Sequence, residues 1–271
     1  MRPPVIMGIV NVTPDSFSDG GLFLDADAAI EHGRRLTSEG AHILDIGGES
    51  TRPGSDPVPE EEELRRVLPV IEQLASGEAR ISIDTTKAAV AGAALEAGAT
   101  IVNDVSAFRF DPELPGVVAE SGAECCLMHM LGEPRTMQDD PRYDDVVSDV
   151  KSFLEERLAF AVEQGVAEER VWLDPGIGFG KTVEHNLELL RRLDELVAIG
   201  RPVVIGTSRK SFLGKLAGGR DETHRLPGTI ATNVLALERG ATVFRVHDVA
   251  QNADALHVAA ATFRLDVGEG A

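Results

Sequence analysis

Four polar residues that follow short apolar runs could together bind a flat heterocycle. They are Asp84, Asn103, Asp174 and Lys210. Carboxylates accept hydrogen bonds from amino and ring N–H groups, and a lysine donates to a carbonyl oxygen. A carboxylate at the end of a buried strand is costly unless it is paired or binds a ligand. These residues therefore predict a site for a ring rich in N–H and C=O groups.

A second set of residues supplies hydrogen-bond donors suited to an anion with several oxygens. Its members are Asn11, Arg52, Arg245 and His247. Arg245 and His247 are two positions apart, so they would share one face of a strand. The planar fork of arginine matches phosphate geometry. The two sets together predict a ligand with a flat ring and an oxygen-rich anionic group.

Several of these residues also have simpler structural interpretations. A single Asp after a strand is commonly the cap of the next helix, and Asp248 fits that pattern. His129 and His247 could each be buried structural histidines. The acidic run 60–63 is expected to be the solvated first turn of a helix, and Cys125 and Cys126 are expected to be small core residues. Three carboxylates and an Asn after four different strands are harder to explain as caps.

A repeated unit predicts how these residues are positioned. Four times, a Gly-Ala pair preceded by Glu leads into a short apolar run, and each Gly fits the end of a helix. The apolar spacing predicts helices between the strands. The sequence predicts eight strands: Val5–Val10, Ala41–Ile46, Arg80–Ile83, Thr100–Asn103, Glu124–Met128, Arg170–Leu173, Pro202–Gly206 and Thr242–Arg245. The predicted helices are Asp25–Glu39, Glu60–Ala75, Lys87–Glu96, Asp145–Gln164, Val183–Leu193, Gly228–Glu238 and Ala250–Arg264.

Eight β–α units in a chain of 271 residues favour an α/β fold of the (β/α)8 TIM-barrel type. In this fold the site lies at the C-terminal ends of the strands. The alternative, an open doubly wound sheet, would leave two units unused. The chain has no linker or change in composition, so we expect one domain over residues 1–271, with 267–271 as a frayed tail.

The composition excludes some classes of function. Lys and Arg number 26 against 45 Asp and Glu, which gives a net charge of −19. Such a chain is a poor binder of nucleic acid, whose phosphates require cationic partners. No apolar run reaches the roughly 18 residues that a membrane span needs, and the first residues do not resemble a signal peptide. We expect a cytoplasmic protein with no membrane partner.

Eight segments between residues 7 and 249 are similar, in order, to the motifs of one known family. They are Met7–Gly21 (MGIVNVTPDSFSDGG), Asp45–Gly54 (DIGGESTRPG), Ile81–Lys87 (ISIDTTK), Ile101–Val105 (IVNDV), Leu127–Gln138 (LMHMLGEPRTMQ), Asp174–Lys181 (DPGIGFGK), Gly206–Gly214 (GTSRKSFLG) and Arg245–Val249 (RVHDV). The chain thereby resembles dihydropteroate synthase, a pterin-binding TIM-barrel family.

The resemblance implies a transferase of folate biosynthesis. In that family, p-aminobenzoate displaces pyrophosphate from 6-hydroxymethyl-7,8-dihydropterin pyrophosphate to give 7,8-dihydropteroate. The resemblance also implies a requirement for Mg²⁺, a homodimer, and inhibition by sulfonamides, which mimic p-aminobenzoate. It further implies that the loop 13–21 closes over the site and excludes water.

The resemblance also assigns residues to subsites. The implied pterin-binding residues are Asp84, Asn103, Met128, Asp174, Phe179, Gly206 and Lys210. The implied pyrophosphate-binding residues are Asn11, Arg52, Arg245 and His247, with Asn11 also near the metal. The implied p-aminobenzoate-binding residues are Phe17, Thr51, Arg52, Pro53 and Ser211. Asp84, Lys210, Arg245 and His247 are the expected catalytic residues, and loss of Arg245 is expected to slow turnover more than it weakens pterin binding.

Two other functions share part of this pattern. A methyltetrahydrofolate-dependent corrinoid methyltransferase would need Asp84, Asn103 and Asp174 but not the anion-binding set. For a non-catalytic pterin-binding barrel we would expect Asp84, Lys210 or Arg245 to be missing, and all three are present. Release of pyrophosphate distinguishes both alternatives from the synthase.

Overall fold

The structure, a computed structural model, describes residues 3–13, 22–50 and 55–263, and only the helical backbone for residues 22–25. Eight parallel strands lie in the order β6-β5-β4-β3-β2-β1-β8-β7. They are β1 Val5–Asn11, β2 Ile43–Gly47, β3 Arg80–Asp84, β4 Ile101–Asp104, β5 Glu124–Met128, β6 Val171–Asp174, β7 Val204–Ile205 and β8 Val243–Val246. A parallel bridge between Leu173 and Val203 joins β6 to the start of β7. The strands thus form the predicted (β/α)8 barrel.

Ten α-helices lie between and after the strands in the described part of the chain. They are α1 Leu22–Ser38, α2 Glu60–Leu74, α3 Ala88–Glu96, α4 Leu114–Ser121, α5 Val146–Glu163, α6 Val183–Arg191, α7 Leu193–Val197, α8 Ser211–Leu216, α9 Leu226–Glu238 and α10 Val249–Thr262. The seven predicted helices are all present. None of the helices in the described ranges is long and apolar enough to cross a membrane.

The helices that the sequence did not predict are short. The eight-residue α4 contains Pro115 and Gly116, which obscure its apolar spacing. The predicted helix over 183–193 stops at Arg192, whose φ of −110° and ψ of 30° separate α6 from α7. The repeated Gly residues do end helices as predicted, since Gly40, Gly98, Gly122 and Gly240 all have positive φ.

The strand register explains why the polar residues gather at one end. Seven buried residues fill the lower interior of the barrel: Met7, Ile43, Ile101, Cys126, Trp172, Val204 and Val243. Side chains two positions apart on a strand point to the same face. The residues two positions beyond six members of this apolar layer are Asp45, Asn103, Met128, Asp174, Gly206 and Arg245. The barrel therefore has an apolar floor with a largely polar layer directly above it at the C-terminal end.

The two cysteines are confirmed as core residues. Both thiols are free and buried, and burial raises their pKa. A thiol with a raised pKa is a poor nucleophile, so neither cysteine contributes chemistry to the site.

Candidate active site

Arg245 of β8 lies at the centre of the polar layer. Its Nε donates to Oδ2 of Asp45 at 2.6 Å, and one terminal nitrogen, Nη2, donates to Oδ2 of Asp84 at 2.6 Å. Its Nη1 makes no hydrogen bond to any residue in the described ranges, and the side chain is 22% exposed. Arg245 therefore joins β8 to two carboxylates and retains donors for an anion above them.

Asp45 connects four strands. Its carboxylate accepts hydrogen bonds from Ser82 Oγ at 2.6 Å, from Asn103 Nδ2 at 3.1 Å and from Arg245. The sequence analysis gave Asp45 no role. The detectable signal was a carboxylate between Leu44 and Ile46 inside a buried strand, where an unpaired charge is costly.

Burial and the neighbouring charges shift the pKa values of the residues in this cluster. Burial raises the pKa of Asp84 to about 7, and Asp45 adds to this effect, while the Arg245 guanidinium opposes it. Burial disfavours the charged form of Arg245, but Asp45 and Asp84 outweigh burial and raise its pKa. Arg245 is therefore a permanent cation, and Asp84 titrates near neutral pH.

Asp174 and Lys210 form the other half of the site. Oδ1 of Asp174 accepts from the backbone N–H of Gly176 at 2.7 Å, and burial raises the pKa of Asp174. Lys210 Nζ donates to the carbonyl of Ile177 and lies 4.6 Å from the centre of the Phe179 ring. Burial lowers the pKa of Lys210 to about 8, although Asp174 favours its charged form.

Gly206 lies between the two halves. A Cβ atom at this position would be 3.8 Å from Lys210 Nζ and 3.9 Å from Arg245 Cβ. The predicted pterin-binding residues thus lie around one opening: Met128 pairs with Asp174 in the sheet register, and Asp84 pairs with Asn103. Met128 and Phe179 also share a small apolar cluster.

The remaining predicted residues are distributed around this centre. Asn11 ends β1 opposite Gly47. The Nδ1 atom of His247 lies 2.9 Å from Ser208 Oγ, which fixes the ring. Ser211 begins α8 and is exposed. Four predicted residues lie outside the described residues: Phe17, Thr51, Arg52 and Pro53.

Two structural interpretations from the sequence need correction. Asp248 does not cap α10 through its side chain; its carboxylate binds the Arg209 guanidinium with two hydrogen bonds, at 3.0 and 2.5 Å. Glu63 is not solvated like the rest of its acidic run, because it faces inward and pairs with Lys87. Each of these two carboxylates pairs with a cation from a distant part of the chain. The local sequence pattern does not show such pairs.

The described residues fit a metal ion that binds together with a phosphate-containing substrate better than an ion that the protein holds by itself. No group of three His, Cys, Asp or Glu side chains within them could hold a metal. Asn11 carries one amide oxygen at the end of β1, where it pairs with Gly47, and Gly47 in turn pairs with Asp84. Mg²⁺ is commonly bound by one or two protein groups together with substrate phosphates, so a single protein oxygen is compatible with it.

The loop after β6 depends on a close backbone approach at Gly176. Gly176 has a φ of +66°, and a Cβ there would lie 1.8 Å from the carbonyl oxygen of His129. We expect Gly176→Ala to lower the melting temperature by more than twice the shift of Gly200→Ala. Gly200 has a φ of +90° with nothing within 4 Å, so its variant measures the backbone cost alone, about 1–2 kcal/mol, or roughly 2–8 °C. Equal shifts in thermal unfolding would contradict the close approach.

Comparison with known proteins places this chain in a family. The pattern of the family described as "Pterin binding enzyme" matches residues 7–247. A dihydropteroate synthase of Synechocystis is 47% identical over 96% of this chain and 90% of its own length. The chain belongs to the dihydropteroate synthase family. Its members are transferases of folate synthesis.

Solved dihydropteroate synthase structures share the whole fold. One from Xanthomonas albilineans with 4-aminobenzoic acid has a TM-score of 0.91 and 49% identity, and it covers 97% of this chain and 94% of its own. Another from the same organism, in complex with 7,8-dihydropteroate, has a TM-score of 0.88 and 46% identity, with 97% and 95% covered.

Proposed function

We propose that this chain condenses 6-hydroxymethyl-7,8-dihydropterin pyrophosphate with p-aminobenzoate to give 7,8-dihydropteroate and pyrophosphate. The observation that carries the proposal is the placement of Asp174 and Lys210 on one side of Gly206 and Arg245 with Asp84 on the other. One side offers acceptors and a donor for the pterin ring, and the other offers a cation for the leaving group. The complexes of relatives with 4-aminobenzoic acid and with 7,8-dihydropteroate support the first as a substrate and the second as the product.

The pterin would be recognised by acceptors that match its N–H groups. Asp84, Asn103 and Asp174 supply oxygens, and Lys210 donates to the ring carbonyl. Met128 and Phe179 would contact the faces of the ring. The remaining oxygen of Asp174 is the acceptor most suited to the pterin, because Gly176 already occupies Oδ1.

The reaction breaks the bond between the pterin methylene carbon and a pyrophosphate oxygen and forms a bond from that carbon to the arylamine nitrogen. The electron-rich dihydropterin carries positive charge as the leaving group departs, and Asp84 stabilises that charge. Arg245 and His247 stabilise the departing pyrophosphate, the kind of electrostatic term that is usually largest in catalysis. The amine is neutral at pH 7 and loses one proton to solvent after attack, so no strong base is required.

Mg²⁺ would be held by pyrophosphate oxygens together with Asn11, and it would supply further neutralisation of the leaving group. We further propose that Phe17, Thr51, Arg52, Pro53 and Ser211 contact p-aminobenzoate, that sulfonamides compete there, and that the protein is a single-domain homodimer of the cytoplasm. Sedimentation of the purified protein tests the homodimer.

The test of the function is release of pyrophosphate from purified protein with the dihydropterin substrate and Mg²⁺, with and without p-aminobenzoate. We expect release that requires the arylamine. Tight binding of the pterin with no arylamine-dependent release would contradict the proposal and favour a methyltransferase or a non-catalytic barrel.

The pH dependence of kcat/KM for the pterin substrate tests the two titrating groups. Asp84 must be a carboxylate to stabilise the positive charge that develops on the pterin, and it is protonated as the pH falls through about 7. Lys210 must be an ammonium to donate, and it loses its proton as the pH rises through about 8. We expect a narrow bell-shaped dependence of kcat/KM on pH, with the acid limb near pH 7 and the alkaline limb near pH 8. Lys210→Arg should remove the alkaline limb, since arginine stays charged; an unchanged limb would assign it to another group.

A further inference from the structure

Lys181 is a buried lysine that the proposed chemistry does not use. It ends the segment DPGIGFGK after β6, and its residue is only 3% exposed. Its Nζ lies 2.9 Å from the carbonyl oxygen of Phe179, 3.4 Å from that of His129 and 2.8 Å from His129 Nδ1. Carbonyl oxygens only accept, so Nζ donates to both loops.

His129 completes this arrangement as a neutral ring. Burial lowers the pKa of His129 to about 2, and the charges of Lys181 and Arg109 act in the same direction. A neutral imidazole can present Nδ1 as an acceptor. The edge of the ring also packs against Phe153, with ring centres 4.9 Å apart. Lys181 is therefore attached to a fixed part of the loop after β5.

The two loops that Lys181 joins both adjoin pterin-site groups, since one follows Met128 and the other follows Asp174 and contains Phe179. The backbone N–H of His129 donates to the carbonyl of Asp174 at 2.9 Å. Phe179 N–H closes a turn on the Gly176 carbonyl at 3.0 Å, and its ring lies under the Lys210 ammonium. A second bond, from Tyr143 Oη to the Gly180 carbonyl at 2.7 Å, holds the same turn from the other side.

We propose that Lys181 is a positioning residue for the pterin site, which ties the loop after β6 to the loop after β5 and thereby fixes Phe179 beneath Lys210. The inference rests on the proposed function, because it assigns Phe179 and Lys210 to the pterin. Lys181 acts through these residues and does not itself contact the ring. Its loss should affect the pterin and leave the arylamine little changed.

The experiment compares Lys181→Met with Lys181→Gln, and uses Lys215→Met on the exposed face of α8 as the matched control. We expect Lys181→Met to raise the KM for dihydropterin pyrophosphate about tenfold, the loss of roughly one buried hydrogen bond, while the KM for p-aminobenzoate changes less than twofold. The alkaline limb of the pH profile should also move, because the Phe179 ring no longer faces Lys210. Lys181→Gln retains an N–H donor, so its KM for dihydropterin pyrophosphate should rise less than that of Lys181→Met.

Calorimetric titration with 6-hydroxymethylpterin, which has no leaving group, separates this inference from the function. If Lys181→Met binds 6-hydroxymethylpterin more weakly than the wild type does, the positioning role of Lys181 is supported. This holds even if the wild type releases no pyrophosphate. Should Lys181→Met fail to fold, Tyr143→Phe removes only the bond to Gly180 and is expected to weaken pterin binding about threefold. Equal losses for both substrates, with an unmoved pH limb, would overturn the proposal and leave Lys181 as a purely structural residue. Unchanged pterin affinity in the folded variants would overturn it as well.

Discussion

Replacing Arg245 with methionine is expected to lower kcat by about 10²–10³-fold, the typical loss when one preorganised electrostatic group is removed from an active site. The affinity for the pterin should fall less, by about tenfold, because Arg245 holds Asp84 in place through the 2.6 Å contact. The sequence alone predicts that turnover suffers more than binding, and the structure adds the smaller binding loss. Steady-state kinetics and calorimetry measure the two effects separately.

The same substitution should also destabilise the fold. Asp45 and Asp84 would remain buried without their cation, and breaking a buried ion pair from one side costs about 3–5 kcal/mol. Adding Asp45→Asn should restore part of the free energy of unfolding and none of the turnover. Arg239 is half-buried just after α9, and its Nη1 lies 3.9 Å from Asp194 Oδ1; Arg239→Met is the control and should leave turnover unchanged and stability little changed. A double variant that regains turnover would show that Arg245 acts through stability alone.

Asp174→Asn is expected to raise the KM for the pterin substrate about 100-fold. The amide keeps an oxygen that can accept from Gly176 N–H, so the turn after β6 is retained. Its NH₂ group replaces the second oxygen and faces the N–H donors of the pterin, so two charge-assisted hydrogen bonds are lost at about 1.5 kcal/mol or more each. Thermal unfolding should change little, since the substitution removes a buried charge.

The control for this variant is Asp254→Asn on the exposed face of α10, which removes one charge far from the barrel opening. A small rise in KM for Asp174→Asn would mean that Asp84 and Asn103 provide most of the recognition. Equal effects of the two substitutions would point to the net charge of the protein as the cause.

The sequence predicted the barrel because its signals are local. Apolar runs of strand length, Gly residues that end helices, and a polar residue five positions after three of the four repeated Gly residues are all contained in short segments. The same signals placed Asp84, Asn103, Asp174 and Arg245 at strand ends, and the strand register confirms their positions. The register also shows why they lie together, since Asn103, Asp174 and Arg245 each follow a residue of the barrel floor by two positions, and Asp84 pairs with Asn103.

The pairing of these residues could not be predicted from the sequence. Arg245 fits a phosphate equally well in isolation, and only the adjacency of strands shows that it meets Asp45 and Asp84. Glu63 was expected in solvent because its neighbours are acidic, although it packs against Lys87. The sequence places Lys181 only at the end of the DPGIGFGK motif, whereas the structure shows that its partners include His129 from the loop after β5.

The contact between Arg245 and Asp45 joins residues that are 200 positions apart in the chain. A fragment that ends before β8 would bury both carboxylates of the cluster without a cation, so a half-barrel made from the first strands should not persist alone. The evolution of such a barrel by recombination of half-barrels is therefore restricted at the boundary between β8 and the first strands. A circular permutant that opens the chain elsewhere, for example near Gly200, keeps β8 beside β1 and should retain the cluster intact.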